Sequence, residues 1–245
     1  MAEPAPKRQR TDEGVACEEP KVVLCFGDSN TFGSADKENE ASGKRLPYSQ
    51  RWTTHLQNGL GSKYVVIPEG LNGRTTVVDD PYENPDYCGT GGHGMNGRRY
   101  LTPCLYSHQP LDLVIVALGC NDMKTRFSLS PVDIANGGKT LVLDVMRSKV
   151  GPAKDAPKVL FVSPPQVTET PQNRQWGFTG CAQKSGDTIE ACRKMCAEES
   201  LPFVDLSEVT PTGEDGLHFD AVGSAKIGAR MVTEVKRLLE NAMEG

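Results

Sequence analysis

Two short motifs near opposite ends of this chain contain the side chains of a hydrolytic triad. Residues 27–30 read Gly-Asp-Ser-Asn and directly follow an apolar run, and residues 215–218 read Asp-Gly-Leu-His. A serine hydroxyl is a weak nucleophile at neutral pH and needs a base within hydrogen-bond reach. A histidine supplies that base, and a nearby aspartate can accept its other ring N–H. The motifs therefore predict Ser29 as nucleophile, His218 as general base and Asp215 as its partner.

Further polar residues follow other strand-like runs, where donors for a developing oxyanion are expected. Gly73 comes after the second run, and Asn121 comes after the third. Residues beyond the carboxyl ends of parallel strands lie along one edge of a sheet and can converge. We therefore predict an oxyanion hole made by the backbone N–H groups of Ser29 and Gly73 and the side-chain amide of Asn121. Asp28 is expected to brace the turn, and Asp122 is expected to be structural.

Each of these residues also has a structural interpretation. Ser29 can act as a helix N-cap, Asn121 can cap the segment after it, and His218 can be a satisfied structural histidine. The other three histidines lack an aspartate three residues earlier and are interpreted as structural or surface residues. Arg74 is expected to pair with Asp79 or Asp80, with an anionic substrate as the alternative.

The segments that must position these residues alternate between strand-like and helix-like patterns. The predicted strands are residues 22–26, 64–68, 111–118, 158–163 and 202–206. The predicted helices are residues 50–60, 99–108, 131–150, 188–200 and 221–240. Such alternation predicts an α/β fold, a five-stranded parallel sheet with helices on both faces.

The sequence also predicts two irregular segments and the buried face of the last helix. Residues 81–98 and 164–185 are rich in Gly, Pro and polar residues and are expected to be irregular. The last helix is predicted to bury the stripe Val222, Ala225, Ala229, Val232, Val235 and Leu239.

Composition places the chain among globular proteins and argues against several partners. The 245 residues carry a formal net charge of -5, which gives no basic excess for nucleic-acid binding. No run of apolar residues is long enough for a membrane helix. Residues 1–20 are polar and are predicted to be a disordered tail, followed by one domain over residues 21–245. A cytoplasmic location is expected, and residues 7–10 (Lys-Arg-Gln-Arg) form a short nuclear-import-like cluster as an alternative.

The eight cysteines are expected to be reduced thiols, because the chain is large enough to fold without disulfides and shows no export signal. Cys25 and Cys120 lie at the ends of predicted buried strands, where cysteine acts as a small apolar side chain. Cys192 and Cys196 share one helix face, but no second ligand pair lies nearby, so no metal site is predicted.

Four blocks of this sequence resemble those of the SGNH (GDSL-type) hydrolases. They are residues 27–29, Gly73, residues 119–122 and residues 215–218, and longer stretches resemble the bacterial arylesterase/acyltransferase branch. The resemblance implies a flavodoxin-like three-layer α/β/α sandwich and ester hydrolysis without metal or cofactor, with acyl transfer in some members. It assigns the same triad and oxyanion residues. Asn30 departs from the family, which usually has leucine there, and the loop over residues 82–98 looks longer.

The predicted function is hydrolysis of small acyl (acetyl or aryl) esters through an acyl-enzyme, with acyl transfer as an added capacity. Alternatives are carbohydrate deacetylation or lysophospholipid cleavage on the same triad. A non-catalytic flavodoxin-like binding module is a further alternative. The expected partner is a small-molecule ester, with no nucleic acid and no membrane. The oligomeric state is left open, including a homo-oligomer.

Overall fold

A parallel five-stranded sheet with helices on both faces forms the centre of the protein. The computed structural model describes residues 19–39, 43–80, 82 and 92–240. The strands are β1 (Lys21–Gly27), β2 (Ser34–Asn39), β3 (Gly43–Arg45), β4 (Tyr64–Gly70), β5 (Leu113–Ala117), β6 (Lys158–Val162) and β7 (Phe203–Val204). The α-helices are α1 (Ser29–Phe32), α2 (Trp52–Leu60), α3 (Gly97–Ser107), α4 (Pro131–Arg147), α5 (Pro171–Gln175), α6 (Cys181–Glu198) and α7 (Ala221–Glu240). Short 3-10 turns cover Tyr48–Gln50, Gly92–Met95, Asn121–Met123, Thr125–Phe127, Pro152–Lys154 and Leu206–Glu208.

The strand order places the end of β1 where a ligand site is expected. The sheet runs β4-β1-β5-β6-β7, and all its pairs are parallel. After β1 the chain moves to one side of it as β4 and then returns to the other side as β5. The loops after β1 and β5 therefore diverge and leave a crevice at the carboxyl edge of the sheet. The register aligns Gly27 with Gly70 on one side and Ala117 on the other, so these loops begin at the same level.

Alternating strand residues build two separate apolar cores, which gives the three layers. Leu24 and Phe26 of β1 face a core that includes residues of α3, α4 and α6. Val23 and Cys25 face the opposite core, which includes residues of α2 and α7. Because both faces of the strands are buried, their sequences are almost continuously apolar. The predicted flavodoxin-like α/β/α sandwich with five parallel strands is confirmed.

The apolar stripe predicted for α7 is correct at Val232, Val235 and Leu239, which lie in or against the core, and wrong near the start of the helix. Val222 is 63% exposed, and Ala229 is exposed as well. The buried face instead contains Gly223, Ser224, Ile227, Gly228, Met231, Glu234, Val235 and Leu239. Gly228 allows α7 to approach α2 closely, since a Cβ atom there would lie 2.4 Å from His55 Cβ. The predicted stripe left out Ile227 and Met231, which also lie on the buried face.

Other boundaries also differ from the sequence-based expectation. Helix α6 begins at Cys181 rather than at residue 188, and α5 lies within the segment expected to be irregular. The antiparallel β2–β3 hairpin was not predicted, because its strands are polar and lack an alternating pattern. The predicted long loop over residues 82–98 lies mostly outside the described residues, although Gly97 already begins α3.

Most of the predicted tail, residues 1–18, lies outside the described residues. The six described cysteines are free thiols and are buried. Cys192 and Cys196 belong to the core beneath α6. Across the described part of the chain, no helix is long and apolar enough to cross a membrane.

One close contact between α4 and the sheet gives a test of this packing. A Cβ atom added to Gly138 would lie 2.6 Å from the ring of Phe161 on β6. We predict that Gly138→Val lowers the free energy of unfolding by about 2–3 kcal/mol, because the buried ring cannot move away without disturbing the core. Asn136→Val, at an exposed site on the same helix, should change it by less than about 0.5 kcal/mol. Urea unfolding measures both, and equal effects would contradict this packing.

Candidate active site

The turn after β1 places Ser29 at the carboxyl edge of the sheet. Asp28 caps the short helix α1, since its carboxylate accepts the backbone N–H of Asn30 at 3.0 Å. Ser29 is the first residue of that helix, and its N–H hydrogen-bonds to no other described residue. Asp28 is thus the N-cap of α1, which rules out the N-cap interpretation of Ser29. The hydroxyl and N–H of Ser29 are both available to a ligand.

A tightly hydrogen-bonded loop before α7 carries Asp215 and His218. One oxygen of the Asp215 carboxylate accepts the backbone N–H groups of Leu217 and His218, both at 2.8 Å. The carbonyl of Asp215 accepts hydrogen bonds from the side chains of Thr170 and Asn173, at 3.0 Å and 2.8 Å. These bonds tie the loop to the start of α5 and fix the carboxylate in place.

The three predicted triad residues meet at this edge. His218 Nε2 lies 2.9 Å from Ser29 Oγ, and His218 Nδ1 lies 2.6 Å from Asp215 Oδ2. Burial alone would raise the pKa of the Asp215 carboxyl. The bonds and charge of His218, with the N–H of Leu217, outweigh burial and hold this pKa below its usual value. Asp215 is therefore an ionised acceptor beside the ring at neutral pH.

The predicted oxyanion donors lie on the turns after β4 and β5. Gly73 has a left-handed φ of 81°, and its N–H hydrogen-bonds to no other described residue. The Asn121 amide donates one N–H to the carbonyl of Arg74, 3.1 Å away, and has a second N–H to offer. This bond joins the two turns directly. Gly73 and Asn121 both line the cleft that contains Ser29 and His218.

Asp28 and Asp122 are buried supports of these turns. Asp122 accepts the backbone N–H and the hydroxyl of Thr76, and so links the turn after β5 to the segment after β4. Burial raises the pKa of Asp28 to about 6 and also raises the pKa of Asp122, whose bonds from Thr76 oppose the shift. Both stand where structural carboxylates were predicted.

The predicted pairing of Arg74 is wrong. Its guanidinium donates to the carbonyl oxygens of Gly27 and Glu69, at 2.9 Å and 2.5 Å, and lies over the ring of Phe26. Asp79 and Asp80 instead bind Arg99 and Arg126. The Arg74 side chain lies beneath the site and connects the ends of β1 and β4 through these two carbonyl groups. The nearby aspartates in the sequence do not predict these backbone partners.

Asn30 takes part in the site in a way that the sequence did not indicate. Its amide donates to the carbonyl of Leu217 and accepts the N–H of Phe219, both at 3.3 Å. One side chain next to Ser29 therefore holds the backbone on both sides of His218. The only sequence signal is that this residue departs from the family's usual leucine.

The site opens into a cleft of about 1190 Å³. Trp176 is 37% exposed, and its ring centroid lies 5.9 Å from that of His218. Many side chains of the cleft wall are polar: Ser34, Asp36, Asn72, Gln172, Gln175 and Glu214. The arrangement can place an ester carbonyl beside a hydroxyl, an imidazole and three N–H donors, and it leaves room for a bulky group.

Comparisons with known proteins agree with this geometry. Residues 25–226 match the model of the GDSL-like Lipase/Acylhydrolase family. The aryl esterase of M. smegmatis is 38% identical, with a TM-score of 0.79 over 89% of this chain and 100% of that chain. A carbohydrate acetylesterase from Sinorhizobium meliloti is 36% identical, with a TM-score of 0.79 over 89% of this chain and 99% of that one.

A more distant structure, the lipase/acylhydrolase of Enterococcus faecalis, shares the fold. It is 20% identical, with a TM-score of 0.63 over 89% of this chain and 97% of that chain. A comparison with curated protein sequences finds no match. The predicted resemblance to SGNH hydrolases and bacterial arylesterases is confirmed, and the alternative of a non-catalytic binding module is dropped. Because the family model and the similar structures each cover most of its length, the chain belongs to the GDSL-like lipase/acylhydrolase family and is an ester-hydrolysing enzyme.

Proposed function

We propose that this enzyme hydrolyses small acyl esters through a Ser29–His218–Asp215 triad and an acyl-enzyme intermediate. The observation that carries the proposal is the continuous contact from hydroxyl to ring to carboxylate, with steps of 2.9 Å and 2.6 Å. A nucleophile, its base and the group that orients the base need this order of contacts.

Each residue has a distinct role in the proposed reaction. Ser29 Oγ attacks the ester carbonyl while His218 Nε2 takes its proton, and the imidazolium then protonates the departing alkoxide. Asp215 accepts the Nδ1–H, which sets the tautomer and stabilises the imidazolium. Water, activated by the same ring, attacks the acyl-enzyme and releases the acid and the free serine. Attack by an alcohol in place of water gives acyl transfer.

The oxyanion of each tetrahedral intermediate is proposed to lie among three donors. They are the N–H groups of Ser29 and Gly73 and the second N–H of the Asn121 amide. The absence of competing acceptors for the two backbone groups among the described residues supports this role. Their fixed directions let them stabilise charge with little reorganisation.

The substrate is proposed to be a short acyl ester, and a carbohydrate acetate is the second candidate. The polar cleft wall and the half-exposed Trp176 favour a hydroxyl-rich alcohol group over a lipid. Similarity to a carbohydrate acetylesterase supports the same candidate. Lysophospholipid cleavage has less support, because it requires an extended apolar surface for the acyl chain.

Covalent labelling tests the nucleophile. We predict that a fluorophosphonate labels the wild-type protein once and that Ser29→Ala abolishes labelling and lowers kcat/KM by about 10⁴-fold or more. Ser49→Ala, at an exposed serine outside the cleft, should label like the wild type. A folded Ser29→Ala protein that still hydrolyses aryl acetates at a comparable rate would falsify the assignment.

Replacing Asn30 tests whether it positions His218. We predict that Asn30→Ala and Asn30→Leu lower kcat by roughly 30-fold with little change in KM, since two hydrogen bonds of about 1 kcal/mol each are lost. The rate of fluorophosphonate labelling should fall in parallel. Asn58→Ala, an exposed site on α2, is the control. A lower melting temperature with an unchanged labelling rate at 25 °C would instead show a purely structural role.

Substrate profiles separate the candidate esters. We expect kcat/KM for 4-nitrophenyl esters to be highest for acetate to butyrate and to fall for longer chains, because the polar wall offers an alkyl chain little to bury against. If carbohydrate acetates are substrates, Trp176→Ala should raise KM for acetylated sugars more than for 4-nitrophenyl acetate. A rate that peaks with long acyl chains would overturn the small-ester proposal.

A further inference from the structure

Two cationic side chains on one wall of the cleft have more donors than acceptors. Lys124 follows the turn that carries Asn121, lines the cleft and is only 8% exposed. Within the described residues, its ammonium has no hydrogen-bond acceptor, and the face of Phe178 lies 5.6 Å away. Most of the side chain is buried, so the acceptors for this ammonium must come from the cleft that it lines.

Arg126, two residues further along, shows the same shortage. Its Nη2 donates to Asp80 at 2.5 Å, but its buried Nε has no hydrogen-bond partner among the described residues. The Asp80 carboxylate also attracts Lys124, so a single negative charge lies near the two positive charges of Lys124 and Arg126. This wall therefore keeps a net positive charge.

Other charged groups of the cleft have partners away from this wall. Asp36 accepts the backbone N–H of Glu214 at 3.0 Å and attracts Lys37. Lys37 pairs with Glu214, and the His218 ring contacts Asp215. The excess positive charge is thus local to Lys124 and Arg126. A ligand with one negative charge complements it, whereas a doubly charged phosphate would exceed it.

The turn that carries the pair is hydrogen-bonded to the segment that packs beside His218. Thr125, which lies between the two cations, donates its backbone N–H to the carbonyl of Gly177 at 2.9 Å. Gly177 in turn connects Trp176, which packs near the His218 ring, with Phe178 beneath Lys124. One turn therefore links the cationic wall to the proposed triad.

The protonation state of Lys124 suits an anion. Burial and the nearby Arg126 lower the pKa of Lys124 to about 8, against the attraction of the Asp80 and Asp28 carboxylates. The ammonium is therefore mostly charged at pH 7, and a bound anion would favour the charged form further. Above pH 8 the charge is lost.

We infer that Lys124 and Arg126 form an anion subsite and that the preferred esters carry a single carboxylate on the acyl or the alcohol part. This inference rests on the proposed function, because it places the subsite beside the proposed reacting centre. Lys124 and Arg126 are then specificity residues, and they take no part in proton transfer.

Matched ester pairs test the inference on the unmodified enzyme. For the acyl part, 4-nitrophenyl hemisuccinate is compared with 4-nitrophenyl butyrate. For the alcohol part, the acetate of 4-hydroxybenzoate is compared with the acetate of its methyl ester. We expect at least one anionic ester to have a roughly 10-fold or larger advantage in kcat/KM, mostly through KM, and the favoured pair shows which part carries the carboxylate. The advantage should shrink in 0.5 M NaCl and above pH 8.

Substitutions then assign the effect to the wall. Lys124→Gln should remove most of the anionic advantage, measured as the ratio of kcat/KM for the anionic ester to kcat/KM for its neutral partner, and Lys124→Arg should keep it. Lys226→Gln, which removes the same charge from the exposed face of α7, should leave the advantage intact.

The possible failures are distinct. Wild-type enzyme that hydrolyses neutral esters without any preference for the anionic partners overturns the anion subsite and leaves the proposed triad untouched. A preference that survives in folded Lys124→Gln also overturns it. Hydrolysis of the neutral esters by Ser29→Ala would instead overturn the proposed function on which the inference rests.

Discussion

The contact between Ser29 Oγ and His218 Nε2 joins segments 189 residues apart, and every proposed chemical step depends on it. The serine side of the contact is set by the sheet, because β1 is paired on both sides and cannot shift without breaking two ladders. The histidine side is set by a loop whose hydrogen bonds converge on Asp215. Asn30 joins the two sides directly.

Charge distribution beneath and around this contact follows a consistent pattern. Asp122 and Asp215 are buried with several hydrogen bonds each, and Arg74 is buried with two carbonyl acceptors. Such groups fix turns, since each would be costly to leave unsatisfied. Lys124 differs because it lines the cleft and its ammonium has no acceptor among the described residues, whereas Arg74, whose Nε also lacks a partner, does not line the cleft. Unsatisfied donors on a cleft wall indicate recognition of a ligand more than support of the fold.

Much of the architecture could be predicted from the sequence, for physical reasons. A strand buried on both faces is continuously apolar, as residues 111–118 are, and strands that alternate with helices must run parallel. The carboxyl ends of such strands share one edge, so the sequence alone predicts that Ser29, Gly73 and Asn121 lie together. Asp215 and His218 could be paired from their spacing within a turn.

What could not be predicted depended on close approach and on long-range hydrogen bonds. The close approach of α7 to α2 depends on Gly228, and an apolar stripe does not reveal such a contact. The partners of Arg74 and Asn30 are backbone groups, and backbone groups leave no signature in side-chain patterns. The β2–β3 hairpin is polar, so its strands show no alternation of apolar and polar residues that could have predicted it.

The most direct measurement of the central claim is a crystal structure of the enzyme after reaction with a small alkyl phosphonate ester. The account predicts a covalent bond from Ser29 Oγ to phosphorus and one phosphoryl oxygen about 2.7–3.1 Å from three donors. Those donors are the N–H groups of Ser29 and Gly73 and the Asn121 amide, with His218 Nε2 facing the ester oxygen. An adduct on another residue, or a phosphoryl oxygen turned away from all three donors, would contradict it.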